Sequence, residues 1–211
     1  MTDLALGVRR AAWGARVLAV VLGAVLVALA AQVSIPLPGT PVPMTLQPMA
    51  VLLVGGLLGA RLGGLSMILY LAMGAAGLPV FTPSPLLLPG IGRLFGQTGG
   101  YLLAYPIAAY AVGALLTPGR RPGENTPEGV LLTPGHRPGV SRTQWARTAV
   151  AVLAGLVLIY LGGLAQLAIL TGNLSAAARF GTLPFLLGDL VKIAVLVPVL
   201  AKVTPTIRAR L

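Results

Sequence analysis

No Asp, Glu, Lys or Arg occurs between Arg16 and Arg61, between Arg61 and Arg93, between Arg93 and Arg120, or between Arg147 and Arg179, leaving uncharged runs of 44, 31, 26 and 31 residues. A helix that crosses the hydrocarbon of a bilayer needs roughly 20 predominantly apolar residues. Each run therefore holds at least one spanning helix, and the first holds two if a short turn divides it. With 56% of its residues hydrophobic and 9% charged, the chain has too little polar surface to coat a water-soluble globule of 211 residues. Its solvent is lipid.

Apolar runs read against Gly and Pro breakers place spans near Trp13 to Val33, Thr45 to Ala60, Leu62 to Leu78, Gly99 to Leu116, Thr148 to Thr171 and Leu183 to Val203. The second and third are short and joined almost directly through Ala60, Arg61 and Leu62, so they are two spans or one kinked unit, six spans or five in total. Arg9, Arg10 and Arg16 before the first run imitate a signal peptide. The run ends in Gln-Val-Ser-Ile-Pro-Leu-Pro with no small-residue cleavage site, which predicts a retained first helix.

The net charge of +11 would suggest a nucleic-acid surface on a soluble protein, but here the basic residues stand at the edges of apolar runs, where topology explains them. With a cytoplasmic amino terminus, 12 of the 15 Lys and Arg residues fall on the inner side. Arg93 and Arg179 fall outside, and Lys192 lies within the sixth span. The expected fold is an all-α integral membrane protein of about six transmembrane helices with both termini cytoplasmic. It forms one transmembrane unit over residues 1–211, with a Pro/Gly-rich cytoplasmic linker at about 117–146.

Two segments expected outside are rich in proline. Ile35-Pro-Leu-Pro-Gly-Thr-Pro-Val-Pro43 should run as a stiff extended link able to line a pocket. The stretch from Leu78 to Gly92 carries enough Leu and Ile to fold back into protein or the interface. The inner linker repeats Leu115-Leu-Thr-Pro-Gly-Arg-Arg-Pro-Gly123 as Leu131-Leu-Thr-Pro-Gly-His-Arg-Pro-Gly139, two copies too polar to build a core. The lone histidine, His136, matches Arg120 in the other copy, which argues against catalysis or metal binding there.

The chain has no cysteine, no phosphate-binding loop, no His-Glu-x-x-His and no Gly-x-Ser-x-Gly, so neither nucleotide hydrolysis nor hydrolase chemistry is expected. No cofactor is expected either. Of the four acidic residues only Asp189 falls within the membrane. Asp189 and Lys192 stand three residues apart in an apolar helix and so share a face. Charges at that depth cost a few kcal/mol each, so such a pair faces a cavity, a ligand, or its own partner in a structural ion pair. Counted from Leu183 at roughly 1.5 Å per residue, the two lie about 9 and 13 Å deep, within reach of the outside.

Arg93 and Gly96-Gln-Thr-Gly-Gly-Tyr101 precede the fourth span, where free backbone N–H groups could hold an anion or carbonyl oxygen and Gly99 and Gly100 would permit close approach. In the first helix, Ala11, Ala15 and Ala19, then Ala24 and Ala28, repeat at a spacing of four. They form a strip for close packing, either within the chain or against a partner.

Taken together, Ala31-Gln-Val-Ser-Ile-Pro-Leu-Pro-Gly-Thr-Pro-Val-Pro-Met-Thr-Leu-Gln47, Gly77-Leu-Pro-Val-Phe81, Gly96-Gln-Thr-Gly-Gly-Tyr101 and Gly188-Asp-Leu-Val-Lys192 resemble the BioY family of biotin transporters. The matches fall in order over nearly the whole chain. The departures are Gln97 where the family usually has proline, Pro48 after Thr-Leu-Gln, and the long inner linker. The resemblance implies the S component of an energy-coupling factor (ECF) importer in a bacterial cell membrane. Such a six-helix subunit captures biotin from outside and works with a T subunit and two ATP-binding subunits. It implies biotin contacts at Asp189 and Lys192, a first outer loop that caps the pocket, and small residues of the first helix (Ala15, Ala19, Ala24, Ala28) against the T subunit. Biotin's ureido ring donates and accepts hydrogen bonds and its side chain ends in a carboxylate. A buried carboxylate suits the former and a cation the latter. Asp189 is thus expected at the ureido N–H groups and Lys192 or Arg93 at the carboxylate, with Thr45, Gln47 and Tyr101 as further contacts. The rival class is a stand-alone proton-coupled transporter in which Asp189 carries the proton. A membrane enzyme would lack a second acid-base group.

Overall fold

The structure is a computed structural model and describes residues 2–40, 42–83, 90–117 and 140–208, including the side chains of all of these but 2–12, 205, 206 and 208. Six α-helices follow in order: α1 (Thr2–Gln32), α2 (Gln47–Ala75), α3 (Gly99–Leu116), α4 (Arg142–Thr171), α5 (Leu174–Gly181) and α6 (Leu186–Arg208). Among the described residues five helical segments are long and apolar enough to cross a membrane, the last running through α5 and α6. The duplicated linker and His136 lie outside the described residues.

The 29 residues of α2 cover the expected second and third spans, and they do not form one rod. Gly59 adopts φ 83° and ψ 176°, a conformation sterically open only to glycine. There the chain doubles back. Gly63 lies so close to the Gly55 backbone that a Cβ on Gly63 would stand 2.8 Å from the Gly55 Cα, and Gln47 reaches the hydroxyl of Tyr70, 23 residues away. In a straight helix those two residues would be roughly 35 Å apart at 1.5 Å per residue. The arms 47–58 and 60–75 are therefore an antiparallel helical hairpin, and α3 packs along it.

The helix ends follow from capping chemistry. Ser141 accepts a bond from the Gln144 N–H and starts α4 six residues before the expected Thr148. Gly172, at φ 66°, closes it, and the Asn173 side chain caps α5, a short helix not foreseen in sequence. Across the inner linker, the Arg147 guanidinium of α4 bonds the Leu115 carbonyl at 2.6 Å and the Thr117 carbonyl, capping the end of α3. Gln144 donates to the Ala201 carbonyl of α6 at 2.8 Å.

The first Pro-rich segment, expected outside, is more ordered than a stiff extended link. Ser34 pairs with Thr45 and Ile35 with Met44 in a short antiparallel ladder, β1 (Ser34–Ile35) and β2 (Met44–Thr45). Near its tip the Thr40 hydroxyl donates to the Phe180 carbonyl of α5 at 2.6 Å. In the second outer stretch Val80, Phe81, Thr82 and Arg93 are buried, whereas Leu86, Leu87 and Leu88 lie outside the described residues.

Along the alanine strip of α1, Ala24 is fully buried and Ala19 nearly so, Ala28 is half-buried and Ala15 is exposed. The strip faces α2, where Gly23 approaches Ser66 and Val54. The exposed face of α1 instead carries Leu18, Leu22, Leu26 and Leu29. Ala19 and Ala24 are spent on packing within the chain.

Candidate functional site

The Pro-rich segment at 42–45, the start of α2, the loop at 81–82, the turn at 91–95, α3, α4, Phe185 and α6 line a cavity of about 640 Å³, counting space continuous with the outside. Its wall is mostly apolar, with Val42, Phe81, Leu102, Leu156, Ile159 and Phe185, and its polar groups converge from separate elements. That composition is typical of a small-molecule site, where apolar walls supply burial and a few fixed polar groups supply orientation.

Both charges of α6 open onto this space. Lys192 Nζ lies 2.9 Å from Asp189 Oδ1, and the Tyr160 hydroxyl of α4 donates to Asp189 Oδ2. The ion pair and the cavity lining, set out above as alternatives, hold at once. Asp189 is 4% exposed and has a donor on each oxygen, as a buried carboxylate requires.

A second polar cluster forms at the other side chains expected in the site. Thr45 accepts from the Gln47 N–H and donates to its Oε1 at 3.3 Å, while the Thr82 hydroxyl donates to the same oxygen at 2.9 Å. Gln47 Nε2 donates to the Tyr70 hydroxyl, which donates to the Val80 carbonyl at 3.2 Å. One amide thus ties together the first outer segment, both arms of α2 and the loop at 80–82. Replacing it by leucine would strand at least one buried hydroxyl, and each such group costs about 1–3 kcal/mol. Gln47→Leu is expected to destabilise the protein by about 2–3 kcal/mol, read as earlier unfolding in a detergent–denaturant titration. Unchanged unfolding would show that the cluster does not hold the two loops.

Arg93 also lines the cavity and is 6% exposed. Its Nη2 donates to the Thr82 carbonyl. Burial pulls its basicity below the ordinary arginine value, yet a guanidinium stays protonated at neutral pH. Gln166 of α4 holds the turn that carries it, donating to the Leu94 carbonyl at 3.0 Å and to that of Gly96 at 2.7 Å. Tyr101 lines the wall with its ring, edge-on to Tyr160 at 6.4 Å and 78°, while its hydroxyl donates to the Gly181 carbonyl at 2.6 Å.

Gly99 and Gly100 do not line the cavity. A Cβ on Gly99 would stand 1.9 Å from the Leu94 carbonyl oxygen, and one on Gly100 would stand 2.1 Å from that of Gly162. The pair lets α3 cross α4 and the preceding turn at backbone contact. Thr98, one residue earlier, does line the site. Tyr160, Thr82 and Tyr105 went unseen in sequence. An aromatic or a threonine among apolar residues carries no signal of which way it faces.

The BioY family matches over residues 5–209. The probable biotin transporter BioY of Pyrococcus horikoshii is 35% identical over 169 residues, covering 80% of this chain and 83% of that one. The biotin transporter BioY of Thermotoga maritima is 31% identical over 170 residues, covering 81% and 84%. The fold is similar to that in a crystal structure of the S-component for biotin from an ECF-type ABC transporter, with a TM-score of 0.68, 89% of each chain covered and 21% identity. With a match that runs almost from end to end and relatives aligned over four-fifths of its length, this chain belongs to the BioY family.

Proposed function

We propose that the protein is the biotin-binding membrane subunit of an ECF-type importer. The observation that carries this reading is the Asp189–Lys192 pair, which opens onto a largely apolar cavity in a chain of the BioY family. Biotin is apolar along its thioether ring and chain and polar at both ends. Asp189 accepts a ureido N–H. Lys192, which gives one of its three N–H donors to Asp189, and Arg93 are the cations available to the carboxylate. The Gln47 amide and the Tyr101 hydroxyl are committed to protein partners and shape the wall.

The same reading assigns six membrane crossings, since the doubled-back α2 supplies two short ones, and places both termini in the cytoplasm on the bias of Arg and Lys. The outer β1–β2 segment, latched to α5, covers the mouth of the cavity. Energy comes from a T subunit and two ATP-binding subunits, so the chain acts as a transporter subunit and not as an enzyme.

Titration of the detergent-purified protein with biotin, thiamine and riboflavin tests the ligand. Saturable binding of biotin alone is expected, and binding of another vitamin in its place would overturn the assignment. Biotin accumulation by vesicles that hold the purified chain without ATP would favour a proton-coupled carrier instead.

A further inference from the structure

The Asp189 carboxylate receives two hydrogen bonds of different mechanical character. Lys192 stands on the same helix three residues on, so its contact at 2.9 Å travels with α6 and cannot fix the carboxylate relative to the opposite wall. Tyr160 belongs to α4, and among the described residues its hydroxyl is the donor that reaches Asp189 from another helix.

The ring that carries this hydroxyl is itself immobilised. It meets the ring of Tyr101 edge-on at 6.4 Å. Tyr101 in turn lies flush against α4 where Gly163 has no side chain, since a Cβ there would stand 2.1 Å from the ring. The Tyr101 hydroxyl is anchored on the Gly181 carbonyl at 2.6 Å. A run of contacts therefore passes from α6 through α4 and α3 to α5, and its first link is the Tyr160 hydroxyl.

We infer that Tyr160 is a positioning residue that sets the plane of the Asp189 carboxylate for the ligand. A carboxylate has about four lone-pair sites. Lys192 takes one on Oδ1 and Tyr160 one on Oδ2, which leaves one on each oxygen. The two N–H groups of a cyclic urea point to opposite sides of its ring, so one of them meets this carboxylate, and an acceptor lone pair held at a fixed angle suits that single rigid donor. Without the tyrosine hydroxyl the carboxylate is free to turn about its Cβ–Cγ bond toward Lys192, and the free lone pair loses its alignment with that N–H. This inference rests on the reading that Asp189 accepts a ureido N–H.

Tyr160→Phe tests it, because the ring and its contact with Tyr101 remain and only the hydroxyl is lost. Biotin affinity is expected to fall about tenfold, the size of one hydrogen bond to a charged group. In an Asp189→Asn background the same substitution should change affinity less than about twofold, since the group that Tyr160 positions has lost its charge. Wild type should also discriminate biotin from an analogue methylated on one ureido nitrogen, and Tyr160→Phe should lose most of that discrimination. Equal losses in both backgrounds, or discrimination left intact, would mean that Tyr160 only packs and would overturn the inference. Failure of the wild type to bind biotin would overturn the functional reading beneath it, a separate and prior result.

Discussion

Asp189→Asn is expected to weaken biotin binding by about 10- to 100-fold, because a hydrogen bond to a charged acceptor contributes about 1.5–3 kcal/mol and each 1.4 kcal/mol is tenfold. The substitution is nearly isosteric. The asparagine oxygen still accepts from Tyr160, so the contact between α4 and α6 persists, while the amide nitrogen presents donors where the ureido ring needs acceptors. Lys192→Met should behave differently. It leaves the 4%-exposed carboxylate with Tyr160 as its remaining partner, and removing one member of a buried pair typically costs about 3–5 kcal/mol. Stability and affinity should then fall together, whereas Asp189→Asn, which removes the counter-charge of the less buried Lys192, should cost less stability than affinity. Calorimetric titration in detergent beside thermal unfolding separates the two, and wild-type affinity in Asp189→Asn would remove this carboxylate from the site.

Gly59→Val should be the most damaging single change to the fold. At φ 83° and ψ 176° a Cβ collides with its own backbone, and residues forced into such regions cost about 1–3 kcal/mol, more when β-branched. Relief requires the two arms of α2 to swing apart, which would separate Gln47 from Tyr70 and dismantle the hydrogen bonds that hold Thr45 and Thr82. Size-exclusion chromatography after a heat ramp in detergent should show loss of the monodisperse protein well below the wild-type temperature. Gly14→Ala is the control. That position lies on the exposed side of α1 with nothing within 4 Å of a new Cβ, so the gain in helix propensity of about 1 kcal/mol should leave stability unchanged or slightly raised.

Much of the fold was legible because lipid tolerates few solutions. Long uncharged runs had to be helices, and charges inside them had to face something polar, which is why Asp189 and Lys192 stood out. The junction at Ala60 and Arg61 was visible as two short spans meeting, but choosing a reversal over a kink depends on the φ of Gly59, which composition does not report. The same limit applies to Gly99 and Gly100. Glycine before a helix suits both an anion site and a backbone crossing, and the close approach to Gly162 on α4 is visible only in the structure. The alanines of α1 were ambiguous for the same reason, since spacing identifies a strip and not the surface that covers it. Gly172 and Asn173 did carry a readable stop and start for α4 and α5, whereas Tyr160 carried none, because its task is defined by a residue 29 positions away.

The fastening of α3 to α4 by Arg147, and of α4 to α6 by Gln144, bears on how this chain could change over evolutionary time. These bonds join the ends of three helices side by side, so their register does not rely on the peptide that connects α3 to α4. Lengthening a connection between ends already held together costs only about 0.6 kcal/mol per doubling. A tandem copying event between Leu115 and Gly139 could then become established at little cost to the bundle, whereas an insertion of the same size between β1 and β2 would fall beside the cavity.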